Sequence, residues 1–233
     1  MKLLYGLISR NQNMLKPEHY IRQTGLINPM LLDIPIVVVG AGGIGSWTCL
    51  ALGKLGCQNV TVIDFDKVEI HNIGSQFYTD GDLGEFKVKA LEERLFGLLD
   101  NAPKGKVGQI KEGAMEVLKG AKIVISAVDN IEVRRWIFEG LKGEDSILID
   151  GRMAGNTIHL MCAPLNNEES IKGYEATLFP PEEAIQENCT ERAVVYNCFV
   201  MAGLITDLVA RLASKKEVPT EMVIDLANFT MEN

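Results

Sequence analysis

A chain of 233 residues with 47% hydrophobic content is large enough for one sizeable core, with or without an appended lobe, and too short for two full domains. The formal net charge of −8 and a pI near 5.0 argue against a nucleic-acid or anionic membrane surface, because an acidic surface repels phosphate backbones. Read by composition, no apolar stretch reaches bilayer-spanning length and the N-terminus lacks the apolar core and cleavage site of a secretory leader, so the expected compartment is cytoplasmic. The cysteines at 49, 57, 162, 189 and 198 contain no CxxC pair, which speaks against a disulfide framework and against structural zinc.

The first 30 residues are of mixed polarity, with Pro17 and Pro29, and are expected to form an arm outside the core, residues 1–18 being an extension or short helix. The run Ile36-Val-Val-Val-Gly-Ala-Gly-Gly-Ile-Gly-Ser46 then halts an apolar stretch at a glycine cluster. It predicts a buried strand turning into a helix over residues 46–55. Gly40, Gly42, Gly43 and Gly45 allow a tight turn and close backbone approach, and the N-terminal N–H groups of the helix suit a phosphate. A second apolar run, Val60-Thr-Val-Ile-Asp64, ends in an acid at the spacing where such a unit accepts a ribose hydroxyl.

Residues 65–77 are polar and glycine-punctuated, which predicts a loop at the carboxyl edge of the sheet, where open α/β folds bind ligands. Val88, Leu91, Leu95 and Leu98 recur at helical spacing, so residues 87–99 form an amphipathic helix. After a lysine-containing connection, Gln109 and Ile110 are expected to start a short strand and residues 115–118 a short helix. Residues 121–128 predict a central strand ending at Asp129-Asn130, followed by a helix over 131–141 and a strand over 146–150. Residues 157–162 read as a further strand, antiparallel because the link before it is short. Residues 163–187 are acidic, contain Pro180-Pro181, and read as a long segment without secondary structure, of the kind that is usually functional. Residues 193–213 are apolar all round and predict a long, well-buried helix, and residues 222–226 a final strand. The strand–helix alternation implies an α/β fold: a Rossmann-like, doubly wound, mainly parallel sheet with an added antiparallel portion and a long crossover loop at about 163–190, in a single domain over residues 1–233.

Several ordered motifs, Gly40-Ala-Gly-Gly-Ile-Gly45, Ile63-Asp-Phe-Asp-Lys-Val-Glu69, Asn72 with Gln76, Gly84-Glu-Phe-Lys87 and Ser126-Ala-Val-Asp-Asn130, together resemble the ubiquitin-activating-enzyme-like family of ThiF, MoeB and HesA adenylyltransferases. The resemblance runs over about residues 19–213. It implies a fold that binds ATP with magnesium and adenylates the C-terminal glycine of a small β-grasp protein, a sulfur carrier or ubiquitin-like modifier, and it implies a homodimer. By the same resemblance Gly40, Gly42, Gly43 and Gly45 match the nucleotide loop and Asp64 the ribose acid. Asn72 and Gln76 fall in the Asn-x-x-Arg-Gln loop, Lys87 matches the lysine that meets the phosphates, and Asp129 the magnesium aspartate. Asn188-Cys-Thr190 before a long apolar helix looks like the site of an acceptor cysteine, which makes Cys189 a candidate. Two positions depart from the pattern: Ser75 stands where the family's loop has arginine, and His19 where its N-terminal signature begins with one. Arg22, Arg134, Arg135 and Arg152 are the cations available to compensate.

Acyl-adenylate formation brings a carboxylate to the α-phosphate while pyrophosphate leaves. It needs positioning and charge stabilisation rather than a protein nucleophile, which a lysine ammonium, a metal-bound aspartate and helix-start N–H groups would supply. Each residue also has a plainer reading. Lys87 opens an exposed helix face where a lysine is ordinarily solvated. Asp129 is equally placed to cap the following helix. Cys189 is either an acceptor or an idle loop thiol. Cys49, Cys57, Cys162 and Cys198 fall in apolar patterns and read as core. His159 reads as a structural histidine and His71 as a solvated loop residue. The expected activity is ATP-dependent adenylation of a carrier protein's C-terminus. The alternatives are a non-catalytic nucleotide-binding scaffold and an NAD-dependent oxidoreductase.

Overall fold

The computed structural model describes residues 16–99, 101–113, 116–178 and 194–232. Its frame is an eight-stranded sheet in the order β3-β2-β1-β4-β5-β6-β7-β8. Strands β1 (Ile36–Val39), β2 (Val60–Asp64), β3 (Lys104–Val107), β4 (Ile123–Ser126) and β5 (Ile147–Ala154) pair in parallel. Strands β6 (Thr157–Pro164), β7 (Glu221–Asp225) and β8 (Thr230–Glu232) add an antiparallel flank. The expected doubly wound, mainly parallel sheet with an antiparallel portion is therefore present.

The central strands explain why their sequences run apolar without alternation. Every residue of β1 is buried. Ile36 and Val38 join a core formed with α1 (Gly43–Leu55), α2 (Lys87–Phe96) and α5 (Val195–Ala213), while Val37 and Val39 join a second core with α3 (Ile131–Leu141) and α4 (Glu168–Glu175). A strand covered on both faces gains nothing from polar positions. In the first core Cys49, Leu52, Leu91, Leu95 and Ile205 are fully enclosed, and truncating such a leucine to alanine costs about 2–5 kcal/mol. The β5–β6 turn is a two-residue hairpin with Gly155 at φ 54°, which supplies the positive φ that such turns require at their first central position.

Four expectations are corrected. The strand expected at Gln109–Ile110 lies earlier, in the polar stretch Lys104–Val107, where exposed lysines line the edge strand β3. In the acidic segment 163–187, of which residues 179–187 lie outside the described residues, the described part is not without structure: Asn167 caps α4, its side chain accepting from the Ser170 N–H, and Glu168 and Glu169 suit the positive end of that helix. Helix α5 is not buried all round. Asn197, Cys198, Met201, Ala202, Ile205, Leu208 and Val209 face the core, whereas Tyr196 and Phe199 are about half exposed (47% and 50%). By length and composition alone this helix would also be long and apolar enough to cross a bilayer, contrary to the expectation; here its apolar face packs on α1 and the sheet. Strand β8, with Met231 exposed, carried too little periodicity to be read from sequence.

Candidate functional site

The sheet reverses winding direction between β1 and β4, so the loops leaving their carboxyl ends diverge and open a crevice at the switch point. The two loops meet backbone to backbone. Gly40 has φ 97°, and a Cβ built on it would lie 2.5 Å from the Ala127 carbonyl oxygen; one on Gly45 would lie 1.9 Å from the Gly40 oxygen. These two glycines are packing requirements. Gly42 differs: a Cβ there meets none of the described residues within 4 Å. It is also the N-cap of α1, with no side-chain cap among the described residues. The helix thus opens with N–H groups that no described side chain satisfies, which is the physical form of an anion site.

The walls of this loop are fixed by side chains from later in the chain. Asp64, at the end of β2, accepts the Ala41 N–H through Oδ2 at 2.7 Å and the Asp66 N–H through Oδ1 at 2.7 Å. The buried Tyr78 hydroxyl donates to the Ala41 carbonyl at 2.7 Å, and burial, followed by the nearby Cys49, Asp64 and Asp82, pushes its pKa up. Ser46 Oγ accepts the Phe77 N–H at 3.0 Å, and the Trp47 indole N–H donates to the Ser75 carbonyl at 2.9 Å. Trp47 also packs edge-on against Phe77 and Phe199. The loop read as ligand-facing is therefore sewn to the first turns of α1.

Within that loop Asn72 is buried. Its Oδ1 accepts the Glu69 N–H at 2.9 Å and its own N–H donates to the Glu69 carboxylate, a reciprocal cap on the short 3-10 turn Ile70–Asn72. Gln76 Oε1 is buried with no hydrogen-bond partner among the described residues. An orphaned buried acceptor costs about 1–3 kcal/mol, and a donor reaching it from the crevice would relieve that cost. Lys87, given both a phosphate-facing and a plainer solvated reading from sequence, is not solvated: it is 7% exposed. Its ammonium donates to Asp66 at 3.0 Å, and its backbone N–H donates to the Asp66 carbonyl at 2.9 Å. Asp129 lies exposed just beyond β4, and the alternative reading of it as a helix cap does not hold, because α3 is capped by Asn130, whose Oδ1 accepts from the Glu132 and Val133 N–H groups.

The compensating arginines are committed elsewhere. Arg134 and Arg152 both pair with the fully buried Asp150, Arg134 also reaching the Val128 and Gly151 carbonyls and Arg152 the Thr177 carbonyl and hydroxyl. Arg135 donates to the Leu178 carbonyl at 2.8 Å. Tyr174 adds a hydroxyl to Asp150 at 3.1 Å. Burial alone would raise the Asp150 carboxyl, but the Arg134 and Arg152 guanidiniums more than offset it and hold it below the usual carboxylate range. Arg22 is exposed in the N-terminal segment. Sequence reasoning missed this network because its partners lie on three separate elements.

Cys189 lies outside the described residues. Cys49, Cys57 and Cys162 are pushed up to about 12 and Cys198 to about 11, in each case chiefly by burial. They remain protonated at neutral pH and serve as core, as expected. His159 pairs with Glu221 at 2.6 Å and His71 is largely exposed. Among the described residues no three His, Cys, Asp or Glu side chains converge as a metal cage.

A glycine turn at a switch point, an acid ending the next strand and a helix N-terminus that no described side chain caps define a Rossmann-type fold with its loops diverging at the switch point. The particular family follows from comparison: residues 29–233 match the model of the ThiF family, and the chain belongs to that family. It is 28% identical over 155 residues to the NEDD8-activating enzyme E1 catalytic subunit of Caenorhabditis elegans, covering 64% of this chain and 35% of that protein. It is 36% identical over 102 residues to the sulfur carrier protein adenylyltransferase of Thermus thermophilus, covering 42% and 38%. The chain thus spans little more than a third of these curated relatives. Among solved structures, Escherichia coli MccB with AMPCPP and MccA superposes with a TM-score of 0.73 at 16% identity, covering 95% of this chain and 72% of that one, a likeness of fold.

Proposed function

We propose that this chain is an ATP-dependent adenylyltransferase that activates the C-terminal carboxylate of a small ubiquitin-like or sulfur-carrier protein of β-grasp type, working as a homodimer in the cytoplasm. The observation that carries the reading is the chain of contacts that starts beside the α1 N-terminus, where Asp64 accepts the Ala41 N–H, and runs through Asp66, whose N–H donates to Asp64, to the buried Lys87 ammonium. The relatives named for activating NEDD8 and for adenylating a sulfur carrier support the reaction class, and the AMPCPP in the MccB structure supports a nucleoside triphosphate.

In this reading the α1 N–H groups and Gly42 receive phosphate, Asp64 accepts from a ribose hydroxyl with lone pairs left after its two backbone bonds, and Gln76 offers its orphaned carbonyl to a donor on the nucleotide. Lys87 stabilises charge that grows on the phosphates as pyrophosphate leaves, in a water-poor position where such a cation is worth most. Asp129, exposed just beyond β4, is the proposed holder of magnesium together with phosphate and water oxygens, the mixed ligand set this ion commonly takes. Magnesium, when bound, neutralises phosphate charge. Cys189 is the proposed acceptor for a subsequent acyl transfer.

A second reading keeps the fold without the chemistry. His19 and Ser75 replace family arginines, and Arg134, Arg135 and Arg152 are occupied by Asp150 and by backbone carbonyls, which favours a nucleotide-binding scaffold. Magnesium-dependent ATP–pyrophosphate exchange, assayed against a panel of β-grasp proteins ending in glycine, separates the two. Exchange that requires one of them supports the enzyme. ATP binding without exchange for any member supports the scaffold.

A further inference from the structure

Asp66, the first acid after β2, has no part in the catalytic reading, yet it is tied to both Asp64 and Lys87. Its N–H donates to Asp64, its carbonyl accepts the Lys87 N–H, and its carboxylate accepts the Lys87 ammonium at 3.0 Å. We propose that Asp66 is a displaceable counter-anion: it holds Lys87 in position until a phosphate takes the ammonium from it. The inference deepens the adenylyltransferase reading and rests on Lys87 being its phosphate-facing cation.

The electrostatics of Lys87 are poor without a partner. It opens α2, where the positive end of the helix dipole disfavours a cation, and the first turn of that helix contains no acid. Its side chain is only 9% exposed, so the ammonium has given up most of its water. The Asp66 side chain is 47% exposed. A carboxylate so placed regains water at little cost when it lets go, whereas the ammonium cannot do without an anion. The asymmetry favours exchange of one anion for another over separation of the pair. Release needs only a side-chain rotation, because the Asp66 backbone is fixed by Asp64 on one side and by Lys87 on the other. Asp150 is the converse: a fully buried carboxylate between two guanidiniums, with no solvent to retreat into.

The test is a double-mutant cycle on the full chain, reading the affinity of inorganic pyrophosphate and of ATP by calorimetry for wild type, Asp66→Asn, Lys87→Met and the double variant. Asp66→Asn is expected to bind pyrophosphate about tenfold more tightly, Lys87→Met more weakly, and Asp66→Asn in the Lys87→Met background to gain no more than about twofold, as coupled neighbours behave. Asp66→Glu, which keeps the charge, should bind like wild type, and Asp66→Ser stands in if the asparagine variant does not fold. An equal gain in both backgrounds would mean general charge removal and overturns the proposal, as does unchanged or weaker binding by Asp66→Asn. Failure of the wild type to bind either anion overturns it together with the nucleotide site. Exchange activity is read separately. A chain that binds without turning over refutes the catalytic reading, and the coupling in the cycle still decides the role of Asp66.

Discussion

Two charged clusters lie at the carboxyl edge of the same sheet and are built in opposite ways. Around Asp150 each carboxylate oxygen is matched by a guanidinium, a tyrosine hydroxyl completes the set, and the remaining N–H groups of the same two guanidiniums reach backbone carbonyls. Around Asp64 and Lys87 the polar groups are under-matched: among the described residues α1 has no side-chain cap and Gln76 Oε1 no partner, and the buried ammonium leans on a half-exposed acid. Saturation marks the first as a brace that fixes β5, α3 and α4. Deficit marks the second as a place for a ligand, since buried polar groups in a finished core are paired.

The contrast can be broken from either side. The largest effect is expected at the brace. Asp150→Asn leaves two guanidiniums without their anion and should lower the unfolding free energy by about 3–5 kcal/mol in urea titrations. The pH dependence has a definite sign. The folded carboxyl sits below its ordinary value, so its contribution is complete above the unfolded pKa and disappears as pH falls through the folded one. The wild-type advantage over Asp150→Asn should therefore be flat from about pH 5 to 8 and shrink only below about pH 4. At the crevice, Lys87→Met should reduce ATP–pyrophosphate exchange by about 100-fold, the scale of removing one transition-state donor, with little change in thermal midpoint; a large drop in that midpoint with unchanged exchange would recast Lys87 as a second brace. Gly45→Ala should cost about 1–3 kcal/mol through overpacking against the Gly40 oxygen, read as a lower midpoint. The smallest effect is expected for Tyr78→Phe. It removes the hydrogen bond to the Ala41 carbonyl and should cost about 1 kcal/mol of stability while loosening nucleotide binding severalfold.

The central architecture was legible in the sequence because its causes are local. An apolar run cut by glycines can only be a buried strand turning sharply, and Val60–Asp64 repeats the pattern. What was not legible depends on partners far along the chain. Lys104–Val107 has exposed lysines and no apolar period, and it is a strand because β2 offers a ladder and because Gly105 lets it approach α2, a Cβ there falling 2.4 Å from the Val88 oxygen. Lys87 reads as a surface residue until Asp66, 21 positions earlier, is folded against it. The Asn167 cap and the acids after it did announce α4, but the surrounding acidic and proline-rich composition outweighed them. Among the candidate residues, Asp64 and Lys87 are linked through Asp66, the glycines open the turn into α1, Asn72 and Gln76 lie in the loop tied to α1, Asp129 lies exposed beyond β4, and Cys189 lies outside the described residues.

The account turns on whether that crevice takes a nucleotide. Gly42 provides the cleanest test, because a Cβ there meets none of the described residues within 4 Å while standing at the mouth of α1. Calorimetric titration of ATP with magnesium into wild type and Gly42→Ala, beside their thermal midpoints, should show a modest stability loss of about 0.5–2 kcal/mol, because glycine is better than alanine at an N-cap, with binding to wild type and at least about tenfold weaker binding to the still-folded variant. Equal affinity of the two proteins for ATP, or no binding to either, would contradict it.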